Sequence, residues 1–220
     1  MRGIFQAQLL GQELALWRDD AGSVNAWENR CPHRGVRLSI GFNVGKELRC
    51  QYHGWRFATG TGRCSFIPAH PTQRPAATMC VATFAVAERH GALWVNLAAG
   101  GGSARLPELA AGPVTTLRSV FVDAPAAAVA AALLHGYRLD GDAAAEVTTL
   151  DGGDALALTA GAVAPGRVGP IVFHLQPVTD HQVVIHGFLL AVPSAERRLA
   201  ELRRHNAALG ALRDAVERAA

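Results

Sequence analysis

Two short segments of this 220-residue chain bring together residues able to hold metal: Cys-Pro-His-Arg-Gly at 31–35 and Cys-Gln-Tyr-His-Gly-Trp at 50–55. Their donors are Cys31, His33, Cys50 and His53, with sixteen residues between His33 and Cys50. Two thiolates and two imidazoles, delivered in pairs from two turns, suit either a structural zinc ion or a pair of irons held asymmetrically. Spacing speaks against zinc. Zinc-binding pairs are usually separated by two to four residues, whereas one residue separates Cys31 from His33. Pro32 and Gly35 in the first segment and Gly54 after the second favour loops over strands. Such loops let backbone N–H groups approach sulfur, and Tyr52 and Trp55 are placed to shield a bound group from water.

The asymmetric two-iron alternative is a Rieske [2Fe–2S] cluster, in which two cysteines take one iron and two histidines the other. Neutral imidazole in place of thiolate raises the reduction potential. The longer stretch ENRCPHRGVRLSIGFNVGKELRCQYHGWRF, the following GRCSFIP and the trailing AERHGALWVNL resemble the Rieske domain of the Rieske non-haem iron oxygenases. The resemblance is to oxygenase components of the vanillate O-demethylase and dicamba monooxygenase type, and covers about residues 5–97. It implies that Cys31 and Cys50 ligate one iron and His33 and His53 the other. Rieske proteins of respiratory bc complexes are less similar: they carry an extra cysteine in each cluster loop and a membrane anchor. Trp55 stands where those proteins place a hydroxyl that bonds a cluster sulfur. The expected potential therefore lies low in the span of roughly −150 to +300 mV.

The elements that must position these loops read as short strands. Glu13 to Arg18 alternates, Asp19 to Gly22 turns the chain, and Ser23 to Glu28 returns it. Further strands are expected at 47–50, 55–57, 64–67, 81–87 and 93–97, an antiparallel sandwich or small barrel. Ala98 to Ser103 is linker-like. A strand is expected over 116–122, a helix from 126 to about 134 after Asp123-Ala124-Pro125, and strands near 155–159, 171–176 and 183–191. A final helix follows Pro193-Ser194, with Ala195, Leu199, Leu202, Leu209, Leu212 and Val216 on one stripe. The fold class is α+β, with an antiparallel β Rieske domain at 1–98, a linker at 99–113 and a shortened helix-grip-like domain at 114–220.

That second domain departs from the family pattern. The resemblance implies a mononuclear iron held by two histidines four or five residues apart on a helix, plus an aspartate. The corresponding stretch here offers His135 alone, so mononuclear non-haem iron is not expected. His181 and His186 form a pair next to Asp180, but HQVVIHGFLL reads as a strand, where residues five apart face opposite ways. One should be exposed and the other partly buried. His70, His90, His174 and His205 read as turn or surface residues. Cys64 and Cys80 read as free buried thiols rather than a bridge.

The formal charge of +3 contains no block of like charges, which argues against nucleic acid. No apolar run has the length of a signal peptide or membrane span, so a soluble, cytoplasmic protein with no membrane partner is expected. Three functions fit. The first is single-electron transfer by an oxygenase-like subunit, supplied by a ferredoxin or flavin reductase and serving a full-length oxygenase partner, or assembled as a homo-oligomer. The second is a divergent monooxygenase or demethylase acting on a small aromatic, with iron ligands drawn from His135, Asp140, Asp142 and later histidines. The third is a ligand-binding module that uses its cluster as a redox sensor.

Overall fold

The computed structural model describes residues 3–89, 91–98, 112–139, 147–149, 156–160 and 171–219. The chain divides into two compact units, 1–104 and 105–220.

The first unit is built from two antiparallel sheets. Strands β1 (Ile4–Leu9), β2 (Gln12–Arg18), β3 (Val24–Glu28), β4 (Phe42–Asn43), β5 (Glu47–Arg49), β6 (Arg56–Ala58), β7 (Cys64–Phe66), β8 (Thr83–Arg89) and β9 (Ala92–Asn96) follow in order. One sheet runs β1-β2-β3-β8-β9 and the other β4-β5-β6-β7. The turn between β2 and β3 forms as its residues dictate. Asp19 accepts the Ser23 N–H on its side chain (2.9 Å) and the Gly22 N–H on its carbonyl (3.1 Å). Trp17 and Trp27, both buried, meet edge-on at 5.0 Å. Leu48 and Phe57, fully buried on neighbouring strands, belong to the same core, and so do Cys31 and Cys50. The strand β1 had no clear periodicity in sequence. It forms because Ile4 to Leu9 pair in full register with β2.

The second unit contains β10 (Thr115–Thr116), β11 (Val120–Val122), α1 (Ala126–Gly136), β12 (Val147–Thr149), β13 (Leu156–Ala160), β14 (Ile171–Thr179), β15 (Gln182–Leu189) and α2 (Ala195–Ala219). The sheet order is β10-β15-β14-β13-β12, with β11 also pairing β15. The single strand expected over 116–122 is broken in two. Leu117 turns into the core and donates its N–H to the Gly187 carbonyl at 2.8 Å. Its side chain occupies the space above Gly187, where a Cβ would come within 2.8 Å of Leu117 Cδ1. A bulge that lays one side chain over a glycine is a tertiary device, invisible to a strand pattern.

Both helices pack one face on this sheet. Val129, Ala130 and Leu133 of α1 and Leu209, Leu212 and Val216 of α2 join Phe173 and Ile185 in one core. The stripe expected on α2 is corrected at two positions. Ala195 at the start of the helix is exposed. Leu199 is 55% exposed, and His205 is buried in line with the apolar residues instead. Its imidazole is accepted there because Tyr137 bonds Nδ1 and Glu201 lies 3.9 Å from Nε2. Among the described residues no helix is long and apolar enough to cross a membrane.

Candidate metal centre

The four donors lie in two loops of the first unit, each joining short elements. The first loop follows β3 and ends in a 3₁₀ turn over Leu38–Ile40; the second links β5 to β6. The loops share one hydrogen-bond frame. Gly35 donates its N–H to the Cys31 carbonyl (2.8 Å), and Gly54 donates to that of Cys50 (3.2 Å). Cys31 donates to Val36 and Cys50 to Trp55, both at 2.8 Å. Counted from each cysteine, the glycine and the closing carbonyl fall at the same offsets. Only the histidine differs, two residues on in one loop and three in the other. Gly35 and Gly54 both hold φ near +70°, where a side chain is strained, so the frame requires glycine at both positions.

The frame brings the donors together in two pairs. The Cys31 and Cys50 thiols are buried and in contact at the end of the hydrophobic core. Burial pushes the Cys31 thiol up to about 11, and the Cys50 sulfur beside it adds to the rise. The His33 and Arg34 N–H groups point at the Cys31 sulfur and oppose that shift. His33 Nδ1 and His53 Nδ1 face each other at 3.1 Å. Two imidazole nitrogens so close share either one proton or one metal ion. Ligands about 2.1 Å from a tetrahedral ion stand about 3.4 Å apart, so the observed separation fits a common ion. Partial burial, the neighbouring His53 and then Arg34 hold His33 below its ordinary value, favouring the neutral imidazole that ligates.

The donors pair thiol with thiol and imidazole with imidazole. That arrangement suits a group with two metal centres of different ligation.

Aromatic rings from the second loop clamp both imidazoles. Trp55 stacks on His33, nearly parallel, with centroids 4.4 Å apart, and Tyr52 leans on His53 at 3.8 Å. Trp55 also packs on the core, whereas Tyr52 and His53 are exposed. Tyr52 therefore shields less than Trp55. A buried Asn29, whose role the sequence did not reveal, anchors the first loop. Its side-chain oxygen accepts the Ser39 N–H at 2.7 Å, and its own N–H donates to the Glu13 carbonyl. Glu13 also receives Arg37 and Arg30, the latter at 3.1 Å, and the Arg37 hydrogen bond holds its carboxyl below the usual range.

The second unit treats its histidines differently. His135 is exposed on α1, and Asp140, Asp142 and His90 lie outside the described residues. His181 sits in the turn before β15 rather than in the strand, and is exposed; His186 is partly buried. Both nitrogens of His186 are engaged, Nδ1 with Ser119 (2.9 Å) and Nε2 with Gln176 (2.8 Å). His174 and His205, read from sequence as turn or surface residues, are both buried. His174 lies opposite His186 across the β14–β15 pair, on a sheet buried on both faces. Cys64 is a buried free thiol, but Cys80 is exposed, because it forms only an isolated bridge to Arg63 at the sheet margin.

Comparison with known proteins agrees with the geometry of the first unit. Residues 2–85 match the family model of the Rieske [2Fe-2S] domain. A segment of 96 residues, 44% of this chain, is 62% identical to the oxidoreductase NdmD of Pseudomonas putida, covering 16% of that protein. Over 102 residues, 46% of the chain, identity is 39% to a 3-chlorobenzoate-3,4-dioxygenase oxygenase subunit of Comamonas testosteroni, covering 23% of it. The matches thus span less than a quarter of either relative. Among solved structures, apo dicamba monooxygenase superposes with a TM-score of 0.75 at 19% identity, covering 98% of this chain and 81% of that one. NdmA of Pseudomonas putida CBB5 gives 0.73 at 20% identity, covering 98% and 75%. At such identity the likeness concerns the fold alone.

Proposed function

From the premise that the first unit is a Rieske [2Fe–2S] domain of the Rieske non-haem iron oxygenase family, we propose that Cys31, His33, Cys50 and His53 hold its cluster, and that the chain passes single electrons to a partner oxygenase. When bound, the cluster supplies reversible one-electron chemistry. The chain's residues do the rest. Cys31 and Cys50 bury the thiolate end in the core, and the His33 and Arg34 N–H groups stabilise charge on sulfur. His53 is exposed and His33 partly so, and the electron's exit is assigned to these imidazoles.

The observation that carries this reading is the pairing of two thiols with each other and of two imidazole Nδ1 atoms with each other, on two loops of matching glycine-locked frame. The service role draws on the second unit, where His186 is committed to hydrogen bonds on both nitrogens and His205 to one from Tyr137. It also draws on the 62% identity to part of an oxidoreductase much longer than the matched segment. A ferredoxin or flavin reductase is the proposed donor, and the cytoplasm the proposed compartment.

The fold likeness to dicamba monooxygenase over 98% of the chain favours a second reading, a divergent monooxygenase acting on a small aromatic. Iron and acid-labile sulfide counts on the purified protein separate the two. About two irons and two sulfides per chain, with a rhombic Rieske EPR signal on reduction, is the expected result. A third iron, with an EPR signal on nitric oxide binding, would establish the oxygenase instead.

A further inference from the structure

The second unit lines up three polar side chains from three different segments. At the break between β10 and β11, Ser119 turns its hydroxyl to the His186 imidazole of β15, with Oγ 2.9 Å from Nδ1. On the far side of the ring, Nε2 stands 2.8 Å from the side-chain oxygen of Gln176 on β14. That oxygen can only accept, so Nε2 carries the ring proton. A neutral imidazole has one donor and one acceptor, which leaves Nδ1 to accept the Ser119 O–H. Burial of His186 favours this neutral form. A hydroxyl thus meets a base whose tautomer is fixed by a third group, the arrangement that activates a serine as a nucleophile.

The surroundings suit attack on a molecule arriving from solvent. Ser119 is exposed, whereas His186 and Gln176 are half-buried, so the hydroxyl is reachable while the base is held. Arg118 and Ser119 lie between the two strands, and neither donates its N–H to a backbone carbonyl among the described residues. N–H groups beside a nucleophile are the donors required by an oxygen that develops negative charge on a carbonyl carbon. Phe121, two residues on, is 60% exposed and offers an apolar contact. It pairs with Val184, and His186 follows Val184 by two residues on β15. The Phe121 ring and the imidazole therefore share one face of the sheet.

We infer that Ser119, His186 and Gln176 form an acyl-transfer site for carboxylic esters with an apolar acyl chain. Ser119 Oγ bonds the carbonyl carbon as its proton passes to His186 Nδ1. The bond from that carbon to the alcohol oxygen breaks, and the leaving oxygen takes the proton from Nδ1. Water then gives a proton to Nδ1 while its oxygen bonds the acyl carbon, and Ser119 leaves and recovers the proton. The net reaction converts ester and water to acid and alcohol, with no change of oxidation state. Ser119 and His186 are the catalytic residues, and Gln176 is a positioning residue. The site belongs to the second unit and is independent of the electron-transfer reading.

The test uses the full, cluster-loaded chain with two probes, an alkyl fluorophosphonate and p-nitrophenyl butyrate. Peptide mass spectrometry should find the phosphonyl adduct on Ser119, and hydrolysis should continue beyond one equivalent of ester per chain. Ser119→Ala and His186→Gln should each lower the hydrolysis rate about tenfold or more. Gln176→Met removes the acceptor at Nε2 and should cost about as much, whereas Gln176→Glu keeps an acceptor there and should retain the rate. Ser23→Ala, at an exposed serine of the first unit, should change neither readout. Labelling of the unmutated chain needs no variant to fold, and the absence of an adduct on Ser119 would overturn the proposal. So would an adduct of equal yield on Ser23, a wild-type rate in Ser119→Ala, or equal rates in Gln176→Met and Gln176→Glu.

Discussion

Histidine has opposite fates in the two units. In the first, His33 and His53 turn the same nitrogen, Nδ1, toward each other at 3.1 Å and are steadied from behind by Trp55 and Tyr52. Those ring contacts position the imidazoles without consuming the facing lone pairs. In the second, His186 spends one nitrogen on Ser119 and the other on Gln176, and His205 gives Nδ1 to Tyr137. The same side chain faces its own kind in one place and is a satisfied polar group in the other. Residue type and count do not distinguish these cases. The number of ring nitrogens already bonded does.

The largest effect should follow from breaking the first arrangement. Cys50→Ser replaces a buried thiol ligand, and the expected outcome is complete loss of the Rieske EPR signal and of iron, together with a lowered unfolding temperature, since Cys50 is part of the core. His135→Ala and His186→Ala are the matched changes in the second unit and should leave iron per chain unaltered. A loss of iron in either would make the second unit a metal site and erase the contrast. Next in size is Tyr137→Phe. It deletes a hydrogen bond to an imidazole that is only 4% exposed, which should cost about 1–3 kcal/mol. Urea unfolding followed by far-UV circular dichroism would show the loss, with the cluster's visible absorption unchanged.

Much of the first unit was legible because its signals are local. The Asp19–Gly22 turn and the glycines of both loops act within six residues, and the structure contains the turn and the loops they predicted. Features settled by tertiary contact were not legible. Leu117 interrupts the strand expected over 116–122 because it packs over Gly187, seventy residues away in sequence. His205 replaces Leu199 on the buried face of α2 because Tyr137, at the end of α1, meets it there. Asn29 looked like an ordinary polar residue until Ser39 came into reach.

The smallest effect is a dependence of stability on pH, and it sharpens the contrast without altering a contact. Burial holds the His186 imidazole below its ordinary value. In the unfolded chain the same ring takes up its proton near pH ~6.5. Just below that pH the unfolded state therefore binds more protons than the folded state, and stability falls as the solution is acidified. Above it both states are neutral at this position and the contribution is complete. Ser119 and Gln176, which bond the ring, do not titrate, and the imidazole across the strand pair belongs to His174, so no carboxylate on these partners compensates a charge there. The urea midpoint of the second unit should drop on going from pH 7.5 to about 5.5, and His186→Gln, which keeps an amide in hydrogen-bonding reach, should flatten that slope. Equal slopes in wild type and variant would mean that His186 is charged without cost in the folded protein, and that its two hydrogen bonds do not commit it as the contrast with His33 and His53 requires.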